Sequence, residues 1–196
     1  MFVRAGAHYV VPDFSWVQDQ GGDLLPIADQ IGRAIAWVYR NAASFGGDPA
    51  RLYLGGHSSG AHMAAVALTT DWRGYGVPAD IIKGGMCSSG MYELAPVRLS
   101  KRSAYVKFTD EMVDKLSPIR HLDRLSAPLI VSYGSYETPE FQRQAHDFAA
   151  AVHDAGKPVE LLVGENFSHM ETPETLCNPY GLLGAAALKL MGLGEG

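Results

Sequence analysis

The chain has 196 residues, of which 47% are hydrophobic and 19% charged, and its formal net charge is -5 at pH 7. These values are typical of one globular domain with a substantial core, and the negative charge without a long basic run argues against a nucleic-acid partner. No stretch approaches the ~18 apolar residues of a membrane span, and residues 1–4 do not begin the charged-then-apolar pattern of a signal peptide. We therefore predict a single cytoplasmic domain over residues 1–196, with no membrane partner.

The first third of the chain predicts a helix end, a strand and a long helix. Residues 2–7 read as the end of a helix closed by a glycine, and residues 8–12 have the composition of a strand. From residue 23 to residue 44, apolar side chains recur at three- and four-residue steps. This spacing predicts an amphipathic helix with Pro26 in its first turn.

Residues 56–60, Gly-His-Ser-Ser-Gly, lie between a predicted strand at residues 51–55 and a predicted helix that runs to about Thr70. Such a strand-to-helix turn is typical of a nucleophile elbow, although five residues alone also fit a glycine-rich turn with incidental serines. We expect strained backbone to expose the Ser58 hydroxyl, and flanking side chains to collide with backbone, which explains a glycine on each side. The N–H of Ser59 then faces an incoming carbonyl oxygen at the positive end of the helix.

The second half of the chain alternates strands with helices. Each strand is a nearly continuous apolar run, which predicts an α/β fold whose mostly parallel sheet has helices on both faces. Residues 97–125 are more polar, and we expect there either a cap-like excursion over the substrate or plain connecting helices. The predicted strands are residues 80–87, 127–134 and 159–163, and the predicted helices are residues 140–155 and 180–191.

Ser58, Glu137 and His169 each directly follow a predicted strand, and ligands of parallel sheets bind at the carboxyl ends of the strands. A serine hydroxyl needs a base to take its proton, and histidine suits this role because its ordinary pKa lies near ~6.5. A carboxylate on the other ring nitrogen fixes the tautomer. We favour Glu137 over Glu140, because Glu140 lies inside the next helix, where a carboxylate commonly just complements the helix dipole.

Motifs spread over nearly the whole chain carry a family resemblance. Through them the chain resembles the α/β-hydrolase superfamily, and within it the esterase and arylformamidase (kynurenine formamidase-like) group. The resemblance implies a triad of Ser58, Glu137 and His169 and an acyl-enzyme mechanism. We expect that no cofactor or metal is required. The elbow specifies only the superfamily, whereas the segment after Glu137 indicates the formamidase-like group. The motifs are residues 36–42, 45–49, 56–62, 89–94, 116–118, 137–144 and 167–169.

One feature of that family is missing from the sequence. The family carries a His-Gly-Gly-type loop whose backbone N–H completes the oxyanion hole, and no His-Gly-Gly occurs here. The resemblance places this loop and the first strands before Met1, so we expect an N-terminally shortened α/β-hydrolase fold, a fragment, or a sheet completed by a partner chain. One lost oxyanion donor typically lowers turnover by about 10²–10³-fold. A missing strand would leave a sheet edge open to pairing with another chain, so we also hypothesise a homo-oligomer.

The sequence thus predicts a serine hydrolase that cleaves a small carboxylic ester or an N-formyl aryl amide through an acyl-enzyme on Ser58. The alternative is a catalytically weak or inactive shortened hydrolase scaffold that acts in binding. A peptidase of the same fold is a weaker alternative, since nothing here resembles its additional domain. Side chains near the three strand ends are pocket candidates, although such residues are more often packing. They are His57, Met91, Tyr92, Tyr136, Phe167 and Met170.

Overall fold

In the computed structural model, which describes residues 1–193, four strands form one parallel sheet. The strands are β1 (Leu52–His57), β2 (Ile82–Ser88), β3 (Leu129–Gly134) and β4 (Val159–Gly164). Each pairs with the next strand along the chain, so the order in the sheet is the order in the sequence. The predicted parallel sheet is confirmed, and β1 and β4 form the two edges of the described sheet.

Helices connect the strands at the predicted places, with boundaries that differ by a few residues. Pro26 lies in the first turn of the long helix, where its missing N–H breaks no intrahelical hydrogen bond. Among the described residues, no helix has both the length and the apolar character needed to cross a membrane. The helices are α1 (Leu25–Asn41), α2 (Ser59–Leu68), α3 (Leu94–Val97), α4 (Asp110–Lys115), α5 (Pro139–Asp154), α6 (Glu171–Glu174) and α7 (Leu182–Met191).

Helices cover both faces of the sheet. On one face, Val131 of β3 packs in a cluster with Phe148 of α5 and with apolar residues of α1 and α2. On the other face, Met86 and Ile130 pack against Leu183 and its neighbours on α7. Successive residues of a strand point to opposite faces, so Ile130 and Val131 serve different cores. This explains why the strands read as continuous apolar runs.

The predicted strand at residues 8–12 is wrong. These residues have no regular secondary structure, and all five are exposed. The ring of His8 packs edge-on against Phe45, and Tyr9 stacks on Phe2, so the segment rests on neighbouring turns. A strand forms only where a neighbouring strand supplies hydrogen bonds. The composition of the segment could not show that such a neighbour is missing from the described sheet.

Residues 97–125 form a layer of short helices that includes α4. Met112, Val113 and Leu116 join Met91 in a cluster of their own. The backbone carbonyl of Leu116 accepts a hydrogen bond from Nε2 of His62 over 2.7 Å. This bond ties the segment to α2, the helix that follows the elbow.

Candidate active site

Ser58 has the strained backbone predicted for an elbow. Its φ of 55° and ψ of -119° lie outside the regions that L-residues ordinarily adopt. The turn is held because the N–H of Ser58 donates to the carbonyl of Ser88 over 2.9 Å. A Cβ atom on Gly56 would lie 2.2 Å from the carbonyl oxygen of Gly60, so only glycine fits at position 56. The elbow therefore depends on Gly56 for its close approach of strand and helix.

The expected collision at Gly60 is wrong. A Cβ atom there would meet no heavy atom of the described chain within 4 Å. Gly60 lies in the first turn of α2, and its lack of a side chain leaves the space beside the helix N-terminus open. Ser59, the first residue of α2, is exposed, and a backbone N–H at this position has no intrahelical acceptor. That N–H is available to an incoming oxyanion.

The structure brings Ser58, Glu137 and His169 together. Nε2 of His169 lies 3.0 Å from Oγ of Ser58, and Nδ1 lies 2.7 Å from Oε2 of Glu137. The carboxylate of Glu137 is buried, whereas the side chain of His169 is 29% exposed. A carboxylate accepts, so Nδ1 carries the proton and Nε2 is left to accept the Ser58 hydroxyl proton. The three side chains form one directed chain of hydrogen bonds.

Ser89 is a residue of this site that the sequence reasoning missed. Its hydroxyl donates to Oε1 of Glu137 over 2.5 Å, and the N–H of Gly134 donates to the same oxygen over 2.8 Å. Ser89 is buried, and its φ of 54° is positive like that of Ser58, a backbone region that L-residues other than glycine uncommonly adopt. The signal was present in the sequence, because Ser89 follows β2 as Ser58 follows β1.

Two rings pack against the imidazole of His169. The centre of the His57 ring lies 4.5 Å from it, and the Phe141 ring, which was not predicted, lies 4.6 Å away. Burial, followed by the charge of His169, lowers the pKa of His57 and favours its neutral form. Within residues 1–193, the buried Nε2 of His57 has no hydrogen-bond partner.

No three His, Cys, Asp or Glu side chains within residues 1–193 are placed to share a metal ion.

Two pocket candidates lie in the core. Tyr92 is 1% exposed, its hydroxyl donates to the carbonyl of Cys87, and its ring stacks on Phe148 at 4.2 Å. Met91 is buried in the cluster that includes Leu94. Both side chains pack between secondary-structure elements. From sequence alone, an apolar residue near a strand end can be either a packing residue or a pocket residue. We therefore correct the interpretation of Tyr92 and Met91 as pocket-lining residues.

The other candidates lie on the loops that carry Glu137 and His169. Tyr136 is 68% exposed, and Met170 is also exposed. The carbonyl of Phe167 accepts the N–H of Tyr136 over 3.0 Å, which joins the two loops. This bond helps to hold Glu137 and His169 at a fixed separation.

Several known proteins are similar to this chain. Kynurenine formamidase of Danio rerio is 32% identical over 195 residues, which are 97% of this chain and 64% of that protein. Kynurenine formamidase of Salmo salar is 31% identical over 177 residues, 87% of this chain and 58% of that protein. The chain thus spans less than two thirds of the length of these relatives. A solved esterase from the planctomycete Thermogutta terrifontis matches with a TM-score of 0.71 at 20% identity, over 94% of this chain and 72% of that one.

These similarities agree with the observed architecture. The esterase structure shares the α/β-hydrolase fold, so the predicted fold class is confirmed. The family model described as "Carboxylesterase family" matches residues 25–167, well over half of the chain. The matched range includes the Ser58 elbow and Glu137. The chain is therefore an α/β hydrolase that belongs to the carboxylesterase family.

Proposed function

We propose that the chain is a serine hydrolase that cleaves small carboxylic esters or N-formyl aryl amides through an acyl-enzyme on Ser58. The observation that carries the proposal is the chain of hydrogen bonds from Glu137 through His169 to Ser58. Membership of an esterase family and likeness to kynurenine formamidases support it. The small-molecule substrate is the partner that this chemistry requires.

The geometry gives each side chain a step in the reaction. Nε2 of His169 accepts the proton of Ser58 as Oγ attacks the carbonyl carbon, and the N–H of Ser59 donates to the oxyanion that forms. The protonated His169 then gives this proton to the leaving alcohol or amine, and the acyl group remains on Ser58. In the second half, His169 takes a proton from water as the water oxygen attacks the acyl carbon. The bond from that carbon to Oγ of Ser58 then breaks, His169 returns the proton to Oγ, and the acid leaves. Glu137 stabilises the imidazolium in both halves.

The test compares two substrates and two variants. We expect the chain to hydrolyse p-nitrophenyl acetate and N-formyl-kynurenine, with the faster reaction identifying the preferred class. Ser58→Ala should lower kcat at least about 10³-fold, since the nucleophile is lost. Ser59→Ala, which keeps its backbone N–H, should retain most activity. Turnover that survives in Ser58→Ala would contradict the mechanism, and a folded wild-type chain without turnover would favour the scaffold alternative.

A further inference from the structure

Arg102 places a positive charge close to the candidate active site. Its guanidinium carbon lies 5.7 Å from the centre of the Phe141 ring, and that ring centre lies 4.6 Å from the centre of the His169 imidazole. The separation from Phe141 is in the range where a cation attracts an aromatic face. Together the two distances place the guanidinium carbon within about 10 Å of the centre of the His169 ring. Arg102 comes from residues 97–125, the segment predicted as a cap or connector.

The guanidinium of Arg102 makes no ion pair with any residue of 1–193, and its side chain is half-buried. Neighbouring arginines differ in this respect. Arg98 pairs with a carboxylate at 2.8 Å, and Arg120 and Arg143 each pair with one at 2.7 Å. The guanidinium carbon lies over the Phe141 ring, and its N–H donors have no acceptor within residues 1–193. A donor set of this kind is suited to a carboxylate from outside the chain.

Hydrogen bonds hold the backbone of Arg102 in place, so the charged side chain extends from a fixed position. The N–H of Arg102 donates to Oγ of Ser100 over 3.2 Å. Its carbonyl accepts the N–H groups of Tyr105 and Val106 over 3.0 and 2.9 Å. A side chain that begins from a fixed point loses less conformational freedom when it binds a ligand.

We infer that Arg102 is a specificity-determining residue that selects esters or amides carrying a carboxylate several bonds from the scissile carbonyl. The inference rests on the proposed function, because it names the substrate class of the same site. The carboxylate pairs with the guanidinium while the carbonyl carbon lies at Ser58. Residues 97–125 then contribute to the substrate site as a cap does.

The test measures preference for charge with two matched esters, mono-p-nitrophenyl glutarate and p-nitrophenyl pentanoate, which share a five-carbon acyl chain. Arg102→Gln should lower kcat/KM for the glutarate ester about tenfold more than for the pentanoate ester. Arg102→Lys should keep part of the preference, since it retains the charge but not the planar fork. Added salt should weaken the preference of the wild-type chain, because the pair is partly exposed. Arg98→Gln, whose guanidinium is already paired with Asp110, is the control and should leave both rates unchanged.

Different outcomes separate failure of this inference from failure of the proposed function. Equal effects of Arg102→Gln on both esters would show a merely structural role and overturn the inference, while hydrolysis itself would still support the proposed function. If neither ester is hydrolysed, the ester part of the proposed function fails, and calorimetric titration of Ser58→Ala decides the inference alone. Tighter binding of the glutarate ester that is lost in Ser58→Ala/Arg102→Gln supports it. Equal binding of the two esters overturns it.

Discussion

The carboxylate of Glu137 receives three hydrogen bonds, and His169 supplies only one of them. Oε1 accepts from the Ser89 hydroxyl and the Gly134 N–H, and Oε2 accepts from Nδ1 of His169. A buried carboxylate is costly unless donors replace its lost water. Ser89 and Gly134 therefore both stabilise the charge and direct Oε2 at the base. On this view Ser89 is a positioning residue that acts through Glu137.

We expect Ser89→Ala to lower kcat for p-nitrophenyl acetate about tenfold with little change in KM, because a hydrogen bond to a charged group contributes about 1.5–3 kcal/mol. Steady-state kinetics measure this. Ser132→Ala is a matched control, since Ser132 is equally buried but its hydroxyl has no partner within residues 1–193. That variant should keep kcat, and its free energy of unfolding should equal or exceed that of the wild-type chain. Equal losses of kcat in the two variants would contradict the role of Ser89.

The two glycines of the elbow, Gly56 and Gly60, differ in whether the surrounding structure leaves space for a side chain. Gly56→Ala would place a Cβ against the backbone of Gly60 and should lower the free energy of unfolding by about 2 kcal/mol or more. Gly60→Ala meets open space in a helix and should raise it by roughly 0.5–1 kcal/mol. Urea denaturation of both variants measures the difference. Similar destabilisation by both substitutions would contradict the observed packing.

His62 joins α2 to residues 97–125, and we expect it to make the free energy of unfolding depend on pH. Burial lowers the pKa of His62, and the hydrogen bond to the Leu116 carbonyl offsets this lowering only in part. Below the unfolded pKa near ~6.5, the unfolded chain binds a proton that the folded chain resists, so stability is present above that pH and is lost as pH falls. Between pH 7.5 and 5.5 this site should cost up to about 1.4 kcal/mol in free energy of unfolding.

The variant His62→Gln tests this dependence. Its amide can still donate to the carbonyl of Leu116 but has no titration near neutral pH. Urea denaturation at both pH values should therefore show a smaller pH-dependent loss in the variant than in the wild-type chain. An identical loss in both would show that His62 is not responsible.

The sequence was sufficient for the strand-and-helix order and for the positions of Ser58, Glu137 and His169 at strand ends. Apolar runs and their boundaries indicate which segments are buried, and the pattern of burial predicts where the strands and helices lie. Ser89 and Phe141 were missed because their importance lies in contacts between distant segments. Ser89 meets an acid that is 48 residues away along the chain. The segment at residues 8–12 shows the opposite error. Its composition predicts a strand, but in the structure it pairs with no strand of the described sheet.

At the scale of the whole molecule, the described sheet ends at β1, whose outer side is unpaired. Unpaired strand edges are templates for pairing with another chain. Large apolar side chains are also exposed, including Val11, Trp16 and Trp37. We therefore keep the hypothesis that the chain forms a homo-oligomer.

Size-exclusion chromatography with light scattering tests this hypothesis. We expect a measured mass above that of one chain and rising with protein concentration. Trp37→Lys, at a side chain that is 57% exposed, should lower the mass without loss of folding. A mass of one chain at every concentration would contradict the hypothesis.

The proposed mechanism depends on a Ser58 nucleophile that is activated by His169. The most direct measurement is intact-mass spectrometry of the chain after reaction with a fluorophosphonate, followed by peptide mapping of the adduct. We expect one adduct per chain, located on Ser58, absent from Ser58→Ala and formed far more slowly in His169→Gln. An unmodified Ser58 in the folded wild-type chain, or labelling that is equally fast in His169→Gln, would contradict it.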